Sequence, residues 1–134
     1  MVKTIIFDYD GTIHNTLGIY EPAFREAYQW LVDQNVVEEQ KIETAQIAGW
    51  LGLNSKEMWD TFLPELDQRY KDQASAIVGD SMVRQIGEHR AVWYPGAEEM
   101  LTALKNRGYH LVILSNCKVA YRKAHWKNSE WKMV

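Results

Sequence analysis

Asp8-Tyr9-Asp10-Gly11-Thr12 sets two carboxylates two residues apart. On an extended segment that spacing points both to the same side. Gly11 permits a sharp turn just beyond them. Two close carboxylates with a free rim form a hard, oxygen-rich site suited to Mg²⁺. One carboxylate can also act as a nucleophile while its neighbour handles protons. Far along the chain, Ser115-Asn116 adds a hydroxyl, and nearby backbone N–H groups can hold phosphate oxygens. Together these residues specify metal-dependent phosphoryl transfer.

Such groups need elements to position them. Thr4-Ile5-Ile6-Phe7 is a continuous, largely β-branched apolar run that stops at Asp8, which predicts a buried strand ending in a turn. Residues 109–114 predict a second strand, ending at Ser115-Asn116. Strands joined through helices run parallel, with a right-handed crossover. Ligands in such sheets bind beyond the carboxyl ends of the strands. Asp8 and Ser115, remote in sequence, are therefore predicted to be neighbours in space.

Between the strands the pattern is helical. Leu17, Tyr20, Phe24, Ala27, Tyr28 and Leu31 recur at steps of three and four, the apolar face of one helix that fades near Asp33-Gln34-Asn35. Pro22 is tolerable only near the first turn of that helix. Further helices are predicted over about 42–50, ended by Gly49 or Gly52, and from an Asn54-Ser55 cap to Phe62. A longer one carries Leu66, Tyr70, Ala74, Ile77 and Ile86. Ala97 to Arg107 has Glu98 and Glu99 in its first turn, Lys105 and Arg107 in its last, and Gly108 as the stop. Val119 to Trp126 predicts one more short helix.

The residues now quoted resemble a known family. Asp8-Tyr9-Asp10-Gly11-Thr12-Ile13 is similar to the first motif of the haloacid dehalogenase (HAD) superfamily, and Leu111-Val112-Ile113-Leu114-Ser115-Asn116 to its second. Tyr94-Pro95-Gly96-Ala97, with the helix that follows and Arg107-Gly108-Tyr109, resembles the usual lead-in to that second motif. Ile47-Ala48-Gly49 resembles a cap segment of the phosphoglycolate phosphatase-like and β-phosphoglucomutase-like branch. The resemblance runs to about residue 126. It implies an α/β fold: an incomplete HAD-like Rossmannoid parallel-sheet core, at 1–15 and 91–134, with an inserted α-helical cap at 16–90.

The same resemblance implies roles. Asp8 would attack phosphorus and become a transient aspartyl-phosphate. Asp10 would protonate the leaving alcohol and then activate water. Asp8 and the backbone carbonyl of Asp10 would bind Mg²⁺. Ser115 and the amide of Asn116 would hold the phosphoryl group, with Gly11 and Thr12 of the first motif also on the phosphate side. Lys56 lies where the cap can face substrate, beside the plainer reading of a solvated lysine. The implied activity is Mg²⁺-dependent hydrolysis of a small phosphorylated metabolite. A sugar-phosphate mutase is one alternative. The other is a truncated, inactive remnant that works only through self-association or partner binding. The second carboxylate, Asp10, favours phosphate esters over haloacids.

Two departures stand out. Asn15-Thr16 occupies positions where relatives often carry Asp-Ser or Asp-Thr. The third-motif lysine and fourth-motif acidic pair have no counterpart, and the sequence from Lys127 onward no longer looks like the family. A C-terminal truncation or frameshift near Lys127 is the expectation.

Composition bounds the rest. The chain has 134 residues, 46% hydrophobic and 25% charged, with a net charge of −3. That is one ordinary domain and excludes disorder over most of its length. An acidic balance argues against a nucleic-acid partner. Lys118 to Val134 carry five of the 15 basic residues and one of the 18 acidic ones, read as a frayed helix end. The single cysteine, Cys117, excludes an intrachain disulfide and is read as a small buried residue. His14 is read as a partly exposed structural histidine, and Trp50 and Trp59 as cap core. No apolar run is long enough to span a membrane, and no signal peptide is present, so a cytoplasmic location is expected. Open sheet edges make a homo-oligomer a further expectation.

Overall fold

The computed structural model describes Met1 and residues 3–128. The departure expected from Lys127 onward lies, from residue 129, outside the described residues. Element order is β1 (Thr4–Asp8), α1 (Leu17–Asp33), α2 (Thr44–Ala48), α3 (Ser55–Phe62), α4 (Gln68–Gly87), α5 (Ala97–Asn106), β2 (His110–Leu114) and α6 (Val119–Asn128). Among the described residues, β1 and β2 form a parallel two-stranded sheet. Among the described residues no helix is long and apolar enough to cross a membrane.

The helical layer closes on an aromatic core. The apolar stripe of α1 buries Phe24, Ala27, Tyr28 and Leu31 against Ile47, Trp50, Met58, Trp59 and Ala74. Phe24 stacks on Trp59 with ring centroids 5.7 Å apart. Trp50 and Trp59 are therefore core residues, as expected. Local signals set the helix ends. Asn54 and Glu57 form a reciprocal capping box at the start of α3. Gly49 is the C-cap of α2. Pro22 falls inside α1 rather than in its first turn. It is tolerated on the solvent side, at the loss of one helical hydrogen bond.

The strand layer is covered on one face. Ile5, Phe7, Leu111 and Ile113 alternate with exposed neighbours, and Phe7, Leu111 and Ile113 pack on Tyr9, Ile13, Ala97 and Leu101. α5 supplies that cover, and Gly108 at φ +86° releases the chain from α5 into β2. The opposite face carries Ile6, Val112 and Leu114, which are 63%, 43% and 69% exposed. The sequence-based expectation of a fully buried strand is thus corrected. An apolar run reports that a strand is able to be covered on both faces, not that two covers exist.

Candidate active site

The parallel register pairs Thr4 with His110 and Asp8 with Leu114. Both strands therefore finish at the same edge. Ser115, one residue past β2, comes alongside the end of β1, the juxtaposition that the sequence predicted.

Beyond Asp8 the chain folds back at once. The N–H groups of Thr12, Ile13 and His14 all donate to the carbonyl of Tyr9, at 3.2, 2.9 and 3.0 Å. Gly11 takes φ +76°, a conformation that a side chain there would strain. The returning segment is tied to the 92–94 strip, with Asn15 N–H donating to Val92 O and Tyr94 N–H to Ile13 O, each at 2.8 Å.

The two motif carboxylates end in different environments. Asp8 is exposed, and its side chain has no hydrogen bond or ion pair among the described residues. Asp10 is partly buried and held by a single oxygen. Its Oδ1 accepts from the Tyr121 hydroxyl at 2.7 Å, pairs with His14 Nδ1 at 2.9 Å and accepts from Thr16 Oγ1 at 3.1 Å. Its Oδ2 has no partner among these bonds and is left for other work. Burial alone would raise the Asp10 carboxyl. The hydrogen bonds from His14 and Tyr121, the charge on His14 and the Thr16 hydroxyl outweigh it, holding the group below the usual carboxylate range.

Thr16 shows how the sequence is spent. It stands at the N-cap of α1, where a threonine ordinarily caps with its hydroxyl, yet it makes no such bond. Its Oγ1 instead serves Asp10 and accepts from Gly11 N–H at 3.2 Å. The Asn15-Thr16 departure therefore keeps a hydroxyl where it anchors the second carboxylate.

Around Asp10 lies a dense polar and aromatic cluster. His14 is fully buried, which corrects the expectation of a partly exposed histidine. Its ring meets that of His125 edge-on, centroids 4.5 Å apart. His125 Nδ1 bonds the Tyr9 hydroxyl at 2.9 Å, and that hydroxyl accepts from Trp93 Nε1 at 3.0 Å. Burial, then the charge on His14, pulls the His125 imidazole down to about 4. Burial pushes the Tyr9 phenol up to about 12, against the Trp93 bond. Burial and the Asp10 carboxylate push Tyr121 far above its ordinary range.

Other sequence candidates fare variously. Ser115 and Asn116 sit at the sheet edge with no side-chain hydrogen bond among the described residues, Ser115 half-buried and Asn116 exposed. Gly11 and Thr12 are exposed at the turn. Lys56 is an exposed α3 residue paired with Asp60 on its own helix, at 2.5 Å. Cys117 is partly rather than fully buried. Sequence reasoning missed Thr16, Tyr121 and His125. Tyr121 and His125 lie four apart on α6, a spacing that puts both on one helix face and was the available signal.

The fold agrees with known proteins. The family model of haloacid dehalogenase-like hydrolases matches residues 2–125, and the chain belongs to that family. Among solved structures it is similar to a hydrolase from Pseudomonas syringae, at 20% identity and a TM-score of 0.69, over 94% of this chain and 55% of that one. It is also similar to CbbY from Rhodobacter sphaeroides in complex with phosphate, at 19% identity and a TM-score of 0.71, over 96% and 57%. A third is described as a predicted phosphoglycolate phosphatase from Haemophilus somnus, at 21% identity and a TM-score of 0.59, over 88% and 53%. At these identities the likeness establishes the fold. The chain spans little more than half the length of each of these three structures. No curated protein matches it.

Proposed function

We propose that this chain carries the phosphoryl-transfer half of a Mg²⁺-dependent phosphatase acting on a small phosphate monoester through an aspartyl-phosphate. The observation that carries this reading is the shared edge of the two strands. Asp8 closes β1 opposite Leu114, and the Ser115 hydroxyl follows beside it. Asp10, held through Oδ1, keeps Oδ2 for proton transfer.

The donors suit the implied cation. Asp8 offers an exposed carboxylate, and Asp10 a main-chain carbonyl. Hard oxygens with room for several waters are what Mg²⁺ takes. When bound, the ion supplies positive charge against the phosphoryl oxygens. The chain's own residues do the rest. An Asp8 oxygen attacks phosphorus as the ester P–O bond breaks; the anionic substrate favours the protonated form of Asp10, which is ionised in the free chain, and the departing alkoxide takes that proton. Asp10, now ionised, takes a proton from the water that attacks the same phosphorus and returns Asp8 as a carboxylate. Ser115 and the Asn116 amide hold the transferring oxygens.

Hydrolysis of an aryl phosphate, measured with Mg²⁺, with EDTA and with Asp8→Asn, tests this. Turnover that needs the ion and falls by about 10³-fold or more in the variant is expected. Turnover indifferent to both, or none in the folded wild-type chain, rejects the reading.

One observation favours a second reading, action through association. Ile6, Val112 and Leu114 stand together on the uncovered sheet face. A second copy or a partner chain would bury them.

A further inference from the structure

We propose that the chain binds a second copy of itself by seating the outer face of α6 in an acidic groove at the start of α4. Neither surface contains Asp8, Asp10, Ser115 or the open sheet face, so the inference stands whether or not the chain is a phosphatase.

α6 is two-sided. Tyr121, Ala124, His125 and Asn128 are half-buried and turned to the protein. Val119, Arg122, Lys123, Trp126 and Lys127 recur at steps of three and four on the other side, and all are exposed. Val119 and Trp126 leave 56% and 54% of their surface in solvent. The side chains of Arg122, Lys123 and Lys127 have no ion pair or hydrogen bond among the described residues. An indole held in water beside unpaired cations is what an amphipathic helix presents to a groove.

The matching groove lies between the loop after α1 and the start of α4, with a volume of about 620 Å³. Val36, Val37, Phe62, Leu63, Leu66 and Tyr70 give it a floor of half-buried apolar side chains. Glu38, Glu39 and Glu65 stand exposed on its rim, and among the described residues no Lys, Arg or His lines it. Those carboxylates have no ion pair or hydrogen bond among the described residues, whereas Asp67 beside them faces Arg69 at 3.6 Å.

The two surfaces complement each other in shape and charge. Trp126 suits a floor that includes the Phe62 and Tyr70 rings. Arg122, Lys123 and Lys127 suit the three free carboxylates, and opposite potentials of this kind steer encounter and fix register. One molecule does not make this contact with itself. The groove takes in Tyr70 from the first turn of α4, while His125 and Asn128 of α6 share a cleft with Ile86 from its last turn. From Tyr70 to Ile86 the helix rises about 24 Å. The contact therefore runs from the helix of one copy to the groove of the next, a heterologous interface.

Sedimentation of the full chain over about 10–500 μM, a range suited to one small interface, is the test. The wild type should associate, less so in about 0.5 M NaCl. The double variant Glu38→Lys, Glu39→Lys should stay monomeric, and so should Arg122→Glu, Lys123→Glu. All four positions are exposed, so both variants should fold. An equimolar mixture of the two should form a one-to-one complex, because the intact α6 of one meets the intact groove of the other. Trp126→Ser should weaken association by about tenfold or more. A wild type that is monomeric at every concentration, charge variants that associate as it does, or a mixture that stays monomeric would overturn the proposal. So would association lost in Ile6→Thr, Leu114→Thr but kept in the charge variants, which would assign it to the sheet face. A monomeric wild type that cosediments with phosphatidylserine vesicles would assign the α6 face to a membrane surface instead.

Discussion

Between α1 and α4 the chain hides Phe24, Ala27, Leu31 and Ala74 completely, and Trp59 to within 1%. In the sheet, Ile6 and Leu114 remain 63% and 69% exposed. Both regions are rich in apolar side chains, so composition does not separate them. Partners do. A helix satisfies its own backbone and needs only another apolar stripe, which residues 17–87 supply among themselves. A parallel strand pair needs a cover on each face, and α5 provides one. The helical layer is closed by its own sequence, whereas the strand layer is closed on one side and open on the other. The cluster around Asp10 sits where the two meet, drawing His14 and Thr16 from the turn after β1 and Tyr121 and His125 from α6, which packs on α4.

The contrast can be broken at its strongest point first. Trp59→Ala removes the centre of the aromatic core and should cost about 3–5 kcal/mol, read from denaturant unfolding. A cost below about 1 kcal/mol would mean that the helical layer is not the stable part of the molecule.

At the junction, Tyr121→Phe deletes one of the bonds to ionised Asp10. The loss should be about 1.5 kcal/mol at neutral pH, at the low end for a hydrogen bond to a charged group because the Asp10 side chain is 34% exposed. Its pH dependence gives the sign. The folded-state carboxyl is depressed, so its stabilisation is present above the ordinary carboxylate value and is lost as pH falls through the folded value. The gap in melting temperature between wild type and variant should therefore close in acid. A gap that widens there would sink the assignment of Asp10 as an ionised acceptor.

Smallest of all should be the effect of Ile6→Thr. A β-branched residue replaces another on an exposed face, so stability should move by no more than about 0.5 kcal/mol. Sedimentation of the Ile6→Thr, Leu114→Thr double variant sharpens the same point. If the open face is covered by a second copy, this variant should sediment as a monomer where the wild type does not. Identical sedimentation would remove self-association through that face.

Much of this was legible along the chain. Capping at Asn54, the stop at Gly108, and the strand ends at Asp8 and Leu114 all come from short-range rules, and the structure follows them within a residue or so. Periodicity likewise placed Phe24 in a core. Less legible was how far each element would be covered. In sequence His14 sits in a short segment between the Asp10-Gly11 turn and Asn15-Thr16, with only Ile13 apolar beside it. It is buried by Tyr121 and His125, which arrive more than 100 residues later. The same gap explains why Thr16, a good helix cap by type, anchors a carboxylate instead.

What the sequence determined by itself is the set of elements and the chemistry at their ends: two strands finishing in Asp8 and in Ser115, with helices between, because hydrophobic period and turn residues act locally. What only the tertiary structure decided is the company each group keeps. Asp8 stays in solvent while Asp10 is gripped through one oxygen, and the second nitrogens of His14 and His125 are left facing inward. Those outcomes depend on packing α6 against α4, a contact between segments far apart in the chain, which local propensity does not specify.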